Sequence, residues 1–389
     1  MQQTGSFQLI KKMNRRMVLR LILDHEGISR SELAEITALS PATVTNVVRD
    51  LLQRGLVRET REGQSSGGRR PILLEIKDDG AYVIGIEWGI SDISGMLINL
   101  EGDKITFARE IVESNCVDRF LEITHNLVAD FKNRVFRPDK IFGIGLGVHG
   151  LVDPQKGYSR YAPHFQWTNE PLQDLLEERI DYPIKIDNDV RMRARTEIWQ
   201  GREDFVYINT GPGIGAAVVF EGTLHYGHDF SAGELGHMTI DVEGPPCSCG
   251  NRGCLEALVS LEKIVRNFYP DYDAESFLVL EEKWENIVSR AERGGEQAVE
   301  ILKEAGYYLG TGIASMINLL NPGAVIVGGS LMAAQDIILP EIKKQVQKRA
   351  LPVSRNSVKI LSDKQGLEAG ARGAGTAVLE ELFNLEGGK

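Results

Sequence analysis

The 389-residue sequence lacks the features of disulfide-stapled, membrane-spanning or secreted chains. It has only four cysteines, three of them within eight residues, which favours metal binding in a reducing cytoplasm over a disulfide scaffold. The uncharged stretch 305–335 is interrupted by Asn321-Pro322-Gly323 and by small polar residues, so it does not read as a membrane span. No apolar signal-peptide segment follows the N-terminal charges. We therefore expect a soluble cytoplasmic protein of two or three domains.

Charge is distributed unevenly along the chain, whose formal net charge is −11. Residues 1–77 carry 13 Lys and Arg against 8 Asp and Glu, whereas the remainder carries 31 against 47. The overall composition, 42% hydrophobic and 25% charged, is that of a globular protein. A basic head on an acidic body predicts an anionic partner, most simply nucleic acid, that contacts the head alone.

Residues 1–78 predict a winged helix-turn-helix domain that binds DNA. Apolar spacing indicates a helix over 13–25, a capping box begins a second helix at Ser29, and Ser40-Pro41 begins a third. Two short apolar strands before residue 77 would form the wing. This layout places its recognition helix in the major groove.

The third helix and the wing loop supply the candidate DNA contacts. They are Ser40, Thr43, Thr45, Asn46, Arg49, Arg69 and Arg70. Asparagine pairs bidentately with adenine, arginine pairs with guanine or phosphate, and threonine reaches a phosphate or a thymine methyl. The two wing arginines follow glycines and would suit a narrow minor groove. Two alternatives remain open, namely a three-helix bundle with an ordinary polar face and a loop that touches phosphate without selecting sequence.

From residue 79 onward, alternating strands and helices predict two α/β lobes over 79–389, with a cleft near 187–256. Strands are expected over 81–87, 93–100, 104–112, 141–148, 184–186, 205–209, 215–220, 324–327 and 358–361. A long helix near 300–320 would lie in the core or at a subunit interface, so both a homodimer and a tetramer remain open.

A cluster of thiols and one imidazole predicts a metal site. His237, Cys247, Cys249 and Cys254 have the spacing H-x9-C-x-C-x4-C. Four nitrogen and sulfur ligands without a fifth nearby describe a closed, structural zinc site. Such a zinc ion would hold Glu234 and Glu256 near one place. A redox-active cysteine group and a core histidine are the alternatives.

Two segments carry a family resemblance. Ser231–His237 and Cys247–Glu256 resemble the signature of the ROK family of repressors, open reading frames and sugar kinases. The winged head is similar to the repressor branch, especially its xylose-responsive members, and the resemblance covers nearly the whole chain. It implies the sugar-kinase and actin-like fold, in which two ribonuclease-H-type lobes enclose a sugar. By this resemblance the sugar ligands are Asn188, Asp189, Glu234, His237 and Glu256.

The resemblance also raises the question of kinase activity. Asp189 matches the base of the family's kinases, and 210–215 and 321–329 match two of their phosphate loops. The first phosphate loop departs, because Glu87-Trp88-Gly89-Ile90-Ser91 stands where the kinases read D-x-G-G-T. Ile90 and the bulk of Trp88 are expected to keep phosphates away, which leaves Asp189 a vestigial base.

Two further departures bear on the ligand. Arg191 replaces an asparagine of the family pattern and His149 replaces a proline, both near the expected cleft. They predict an unusual sugar, anionic or phosphorylated.

The sequence thus predicts a repressor that leaves its operator DNA when xylose or a related monosaccharide binds. The alternative is an ATP-dependent, glucokinase-like sugar kinase with a regulatory DNA-binding head. A third interpretation is a repressor controlled by a partner protein on the acidic body. An activator role also remains open, since the sign of regulation depends on operator position.

Overall fold

The computed structural model describes residues 3–62, 71–112, 114–273 and 276–383. Its helices are α1 (Gln3–Asp24), α2 (Arg30–Thr37), α3 (Pro41–Gln53), α4 (Val117–Asn133), α5 (Leu172–Glu177), α6 (Asp189–Trp199), α7 (Leu255–Val259), α8 (Leu261–Phe268), α9 (Phe277–Glu292), α10 (Glu296–Leu320), α11 (Gln335–Arg349), α12 (Pro352–Ser357) and α13 (Ala369–Phe383). Its strands are β1 (Ile28–Ser29), β2 (Val57–Glu62), β3 (Ile72–Ile76), β4 (Tyr82–Trp88), β5 (Asp92–Asn99), β6 (Lys104–Ile111), β7 (Ile141–Val148), β8 (Leu151–Asp153), β9 (Tyr158–Ala162), β10 (Trp167–Glu170), β11 (Ile184–Asn188), β12 (Phe205–Thr210), β13 (Ile214–Phe220), β14 (Thr223–His225), β15 (Ala324–Gly329) and β16 (Lys359–Ser362).

The head is formed by α1, α2 and α3 and by a small sheet of order β1-β3-β2. The predicted capping box is present, since the Ser29 hydroxyl accepts from the Glu32 N–H and the Glu32 carboxylate accepts from the Ser29 N–H. Ser40 caps α3 in the same way and Pro41 takes its first position. The predicted winged helix-turn-helix is therefore confirmed. The expected boundary at 78/79 falls in the single turn Asp78–Gly80 between β3 and β4, and it stays a prediction.

Two sheets form the two lobes that the sequence predicts. The first has the order β11-β7-β4-β5-β6, and the second has the order β14-β13-β12-β15-β16. In both, three strands on one side pair in parallel and the remaining two pairs are antiparallel. The predicted strands all appear, with ends shifted by a few residues. A further antiparallel sheet, β10-β9-β8, was not foreseen.

Helix α13 packs unusually close to the first sheet because glycines face it. A Cβ atom on Gly145 would lie 1.8 Å from the Ala374 carbonyl oxygen, and one on Gly85 would lie 1.8 Å from that of Ala371. No side chain fits at either strand position without moving the helix. The glycines of β4 and β7 thus fix α13 against the sheet.

The head and the body share one hydrophobic core. Buried residues of α1, such as Leu19 and Ile22, belong to the same cluster as Leu379 and Phe383 of α13. The cluster also contains Ile98 of β5. The head is therefore packed on the body rather than merely tethered to it. Across the described ranges, no helix has both the length and the apolarity that crossing a bilayer requires.

Candidate functional site

The recognition helix α3 presents a polar face to solvent. Val44, Val47, Val48 and Leu51 are buried, as predicted, while Thr45, Asn46 and Arg49 are exposed. The Asn46 Oδ1 atom accepts from the Arg49 guanidinium at 3.4 Å. The Asn46 amide hydrogens and the other N–H groups of Arg49 remain exposed on this face, where a DNA groove would meet them.

The other candidate DNA contacts have local roles or lie elsewhere. The exposed Ser40 hydroxyl accepts from the Thr43 N–H at 3.2 Å, and it lies 2.9 Å from the Thr43 hydroxyl. Both side chains therefore take part in the helix cap. Arg69 and Arg70 lie outside the described residues, so their assignment stays a prediction.

The predicted metal ligands come together in space. One ligand atom from each of His237, Cys247, Cys249 and Cys254 lies within 4.8 Å of the others. The sulfur atoms of Cys249 and Cys254 are 3.7 Å apart, and the Cys247 sulfur is 3.6 Å from the His237 Nδ1 atom. Tetrahedral bonds of about 2.3 Å to sulfur and about 2.05 Å to nitrogen give edges of roughly 3.8 and 3.6 Å. The donor set therefore fits a tetrahedral ion.

A cleft of about 1300 Å³ lies between the lobes. All five predicted sugar ligands line it: Asn188, Asp189, Glu234, His237 and Glu256. They reach it from the start of α6, from the turn that precedes the thiol cluster and from α7. The expectation that these residues share one cavity agrees with the geometry, and their contact with a sugar stays a prediction.

Asn188 and Asp189 are organised by the start of α6. The Asn188 Oδ1 atom caps the helix by accepting from the Arg191 N–H at 3.1 Å. Its amide nitrogen donates to the Gly150 carbonyl at 3.0 Å and to the Asp189 carboxylate at 2.7 Å. Both amide hydrogens are engaged, so Asn188 orients its neighbours and has no free donor for a ligand.

His149 is the charged neighbour of Asp189. Its Nδ1 atom is 3.7 Å from the Asp189 carboxylate. Burial opposes ionisation of Asp189, but hydrogen bonding and charge attraction from His149 outweigh it and lower the pKa of this carboxyl. The same carboxylate outweighs the burial of His149 and raises the pKa of the imidazole. Each group therefore favours the charged form of the other across this contact in the cleft.

Glu234 and Glu256 lie beside the thiol cluster. The His237 Nε2 atom, on the ring side opposite the Cys247 sulfur, is 3.9 Å from the Glu234 carboxylate. One oxygen of Glu256 accepts from the Ile214 N–H at 2.9 Å. The turn Leu235–His237 and helix α7 thus direct two carboxylates and one imidazole nitrogen toward the same cavity.

Trp88 does not occupy the place expected for it. It is fully buried, and its indole N–H donates to the Thr124 hydroxyl at 2.8 Å on the side away from the cleft. Successive residues of a strand face opposite sides of the sheet, so Trp88 points into the core while Glu87 points toward the cleft. The expectation that Trp88 crowds the phosphates is therefore wrong, whereas Ile90 does line the cavity.

Arg191 is also wrongly placed by the sequence reasoning. It is 3% exposed and donates to the Asp187 carboxylate at 2.6 Å. Its other nitrogens donate to the carbonyls of Phe230 and Val152 at 2.9 and 3.0 Å. Because Arg191 is buried and all three of its guanidinium nitrogens are bonded to the protein, it does not support the expectation of an anionic sugar.

Comparison with known proteins places these features in a family. Residues 83–381 match the profile of the ROK family, and residues 12–64 match that of the MarR family. The sequence is 32% identical to the xylose repressor of Bacillus spizizenii over 97% of each chain. The chain belongs to the ROK family.

Solved structures of ROK proteins agree with this assignment. One is a ROK family transcriptional regulator, a homolog of the E. coli MLC protein, with a TM-score of 0.80 and 28% identity over 97% of this chain and all of that one. Another is the ROK glucokinase of Streptomyces griseus in complex with glucose and AMPPNP, with a TM-score of 0.66 and 25% identity over 76% of this chain and 99% of that one. The resemblance to the ROK family and the expected fold are confirmed.

Two groups in this ROK structure escaped the sequence reasoning. His164, on the turn after β9, lies 3.1 Å from His149 across the cleft wall, although no periodicity marks it. Arg193 of α6 pairs with Glu87 of β4 at 2.6 Å, and burial raises the pKa of Glu87 to about 7 despite the arginine. Arg193 follows Asp189 by one helical turn and so lies on the same face of α6, and this spacing could have indicated that Arg193 also faces the cleft.

Proposed function

We propose that this ROK protein is a sugar-responsive transcriptional repressor of the cytoplasm. It binds operator DNA through α3 and the wing, and it leaves the DNA when a monosaccharide such as xylose binds in the cleft. One observation carries the proposal: the same chain holds a helix with an exposed polar face, in a winged helix-turn-helix, and a cleft lined by all five side chains predicted to bind a sugar. The named repressor activity of its relative from Bacillus spizizenii supports it.

The charge of the cleft favours an uncharged effector. Asp189, Glu234 and Glu256 are acceptors when ionised, and sugar hydroxyls donate to such groups. A phosphate or carboxylate on the ligand would be repelled by these three side chains when they are ionised. Sugar phosphates are therefore expected to act more weakly than the parent sugars.

Zinc is the metal that best suits the thiol cluster. Three thiolates and one imidazole are ligands typical of structural zinc, and with all four positions filled no site remains for water. The ion would join the segment around His237 to the loop of Cys247 and Cys249, and so hold Glu234 and Glu256 in the cavity.

Helix α6 supplies a direct connection from the cleft to the head. Its 11 residues span about 16 Å, with Asp189 at one end and Trp199 at the other. The Arg20 guanidinium of α1 donates to the Trp199 carbonyl at 3.2 Å and lies 4.8 Å from the Trp199 ring centroid. A shift of α6 on sugar binding would therefore move α1, and with it the spacing of the heads in a homodimer or tetramer. Half-sites about 10 bp apart, or a multiple of this, are expected.

A sugar kinase with a regulatory head is the second candidate. It is favoured by Asp189 in the cleft and by the likeness to a glucokinase. Against it, the arginines that line the cleft in the described residues are already paired with carboxylates. The pairs are Arg109 with Asp92 and Glu281, Arg193 with Glu87, and Arg202 with Glu197. These paired arginines contribute little free charge to stabilise a transferring phosphoryl group, so Lys364, which is exposed and also lines the cleft, is the side chain left to supply it.

Two measurements test the proposal. The first is fluorescence anisotropy of purified protein on a labelled operator, titrated with D-xylose, D-glucose, N-acetylglucosamine and glucose 6-phosphate. Release by at least one neutral sugar is expected, and persistent binding with every sugar would refute the effector assignment. The second is a coupled assay of ADP release with the same sugars, in which turnover of several per second would establish the kinase instead.

A further inference from the structure

His164 lies on a rigid turn at the edge of the sugar cavity. The turn Pro163–Phe165 joins β9 to β10, and His164 lines the cleft. The adjacent Phe165 is 2% exposed and packs on Trp167 and Phe120 at ring-centroid distances of 4.5 and 5.1 Å. This aromatic base holds the backbone of His164 in place, and the 3.1 Å contact with His149 orients its imidazole.

Three side chains form a chain of contacts that ends at His164. The Asp189 carboxylate is 3.7 Å from Nδ1 of His149, and Nε2 of His149 is 3.1 Å from Nδ1 of His164. Asp189 raises the pKa of His149, whereas burial, followed by repulsion from His149, lowers the pKa of His164 to about 4. His149 faces the Asp189 carboxylate with Nδ1 and His164 with Nε2. Because the pKa of His164 is about 4, its imidazole is neutral at pH 7, and when Nε2–H of His149 donates to its Nδ1 atom the proton of His164 is on Nε2.

The sugar half of the cavity is rich in acceptors and short of side-chain donors. Asp189, Glu234 and Glu256 offer carboxylate oxygens, and both amide hydrogens of Asn188 are already engaged. A monosaccharide has at least one oxygen, that of the ring, which can only accept a hydrogen bond. Such an oxygen needs a donor. The cleft-lining imidazole of His237, whose Nε2 atom is 3.9 Å from the Glu234 carboxylate, is one such donor, and His164 is placed to be another.

We infer that His164 binds the effector by donating its Nε2–H to an oxygen of the sugar, and that it selects ligands that present an acceptor at this position. His149 is a positioning residue, since it fixes the tautomer of His164 without needing to touch the ligand. The inference rests on the proposed function, because it assigns a specificity-determining residue to that sugar site.

Two near-isosteric substitutions test the direction of this hydrogen bond. His164→Gln places an amide donor near the position of Nε2, whereas His164→Asn can still reach His149 from the position of Nδ1 but has no donor at the outer end. We expect His164→Asn to raise the D-xylose concentration for half-release of operator DNA three- to tenfold, the effect of one lost hydrogen bond. His164→Gln should stay within about threefold of the unsubstituted protein. If another sugar releases the operator DNA more strongly than D-xylose, that sugar is used in its place.

The controls separate failure of this inference from failure of the proposed function. Operator affinity without sugar and the melting temperature should be unchanged in both variants, and His125→Asn, on the exposed face of α4, should behave as the unsubstituted protein. Equal responses of the Asn and Gln variants and the unsubstituted protein would overturn the role of His164 while leaving the repressor intact. A response lost equally in both variants would overturn the donor assignment. Absence of release in the unsubstituted protein would instead remove the sugar-responsive function itself.

Discussion

The contact between Arg20 and Trp199 is the point at which the proposed signal leaves the body and enters the head. We predict that Arg20→Met weakens the coupling between sugar and operator without abolishing either binding event. Methionine keeps the aliphatic packing of the arginine stem and removes the guanidinium. The substitution therefore deletes the hydrogen bond to the Trp199 carbonyl and the cation–π contact with its ring.

The magnitude follows from these two contacts. A cation–π contact at a partly exposed site contributes about 0.5–1 kcal/mol, and a hydrogen bond from a charged donor contributes about 1.5–3 kcal/mol when buried. The Arg20 side chain is 32% exposed and also bonds Asp24, so a loss near the lower end, about 1 kcal/mol, is expected. Allosteric coupling energies are typically about 1–3 kcal/mol. A loss of about 1 kcal/mol reduces the sugar-induced change in operator Kd about fivefold.

Operator titrations with and without saturating sugar measure the ratio of the two operator Kd values directly. Linkage requires the reciprocal result, so DNA should weaken sugar binding to Arg20→Met by the same smaller factor. Arg134→Met is a matched control, because Arg134 forms a similar exposed ion pair with a residue four positions away, Asp130, on α4. If sugar changed the operator Kd of Arg20→Met by the same factor as that of the control, transmission through α6 would be refuted.

Three further predictions concern the metal, the buried carboxyl and the close-packed helix. Chelation or Cys247→Ser should remove the bound metal and abolish the sugar response at concentrations where operator binding persists; equal loss of both in parallel titrations would contradict the assigned role. Burial raises the pKa of Glu87 from 4.5 to about 7, so the contribution of this group to stability is complete below about pH 4.5 and is lost as the pH rises toward 7. Over this interval the melting temperature of Glu87→Gln should therefore fall less than that of the unsubstituted protein. Identical pH profiles of melting temperature would argue against the raised pKa. Gly145→Ala should lower the free energy of unfolding by about 3 kcal/mol, since its methyl would meet the Ala374 carbonyl. In Gly143→Ala the nearest atom would be 3.0 Å from the new methyl, so urea titrations should show a smaller loss of unfolding free energy.

The sequence was most informative where a local rule determines structure. Helix caps at Ser29 and Ser40, alternation of apolar strands and the ligand spacing of the thiol cluster each depend on residues close in the chain, and each appears as predicted. The side-chain directions of Trp88 and Arg191 depend on which face of β4 and α6 meets the other lobe. That choice is set by tertiary packing and has no local signature.

The small sheet β8-β9-β10 was missed for a related reason. Its strands are short and carry polar residues at exposed positions, as in β9, where Arg160 and Tyr161 face solvent. Their pairing is stabilised by aromatic side chains that come from elsewhere in the lobe, including Trp88. His164 could be assigned to the cavity only once this sheet was known, because it is separated from His149 by strands β8 and β9.

The shared core of α1 and α13 has a consequence for synthesis on the ribosome. Helix α1 packs on α13, so a nascent polypeptide whose residues 369–383 are still inside the ribosome lacks part of the surface that supports its head. Products cut short before this point are expected to be poor competitors for operator sites. Operator binding is thereby linked to the folding of residues 369–383, and a head transferred without this helix is expected to be less stable.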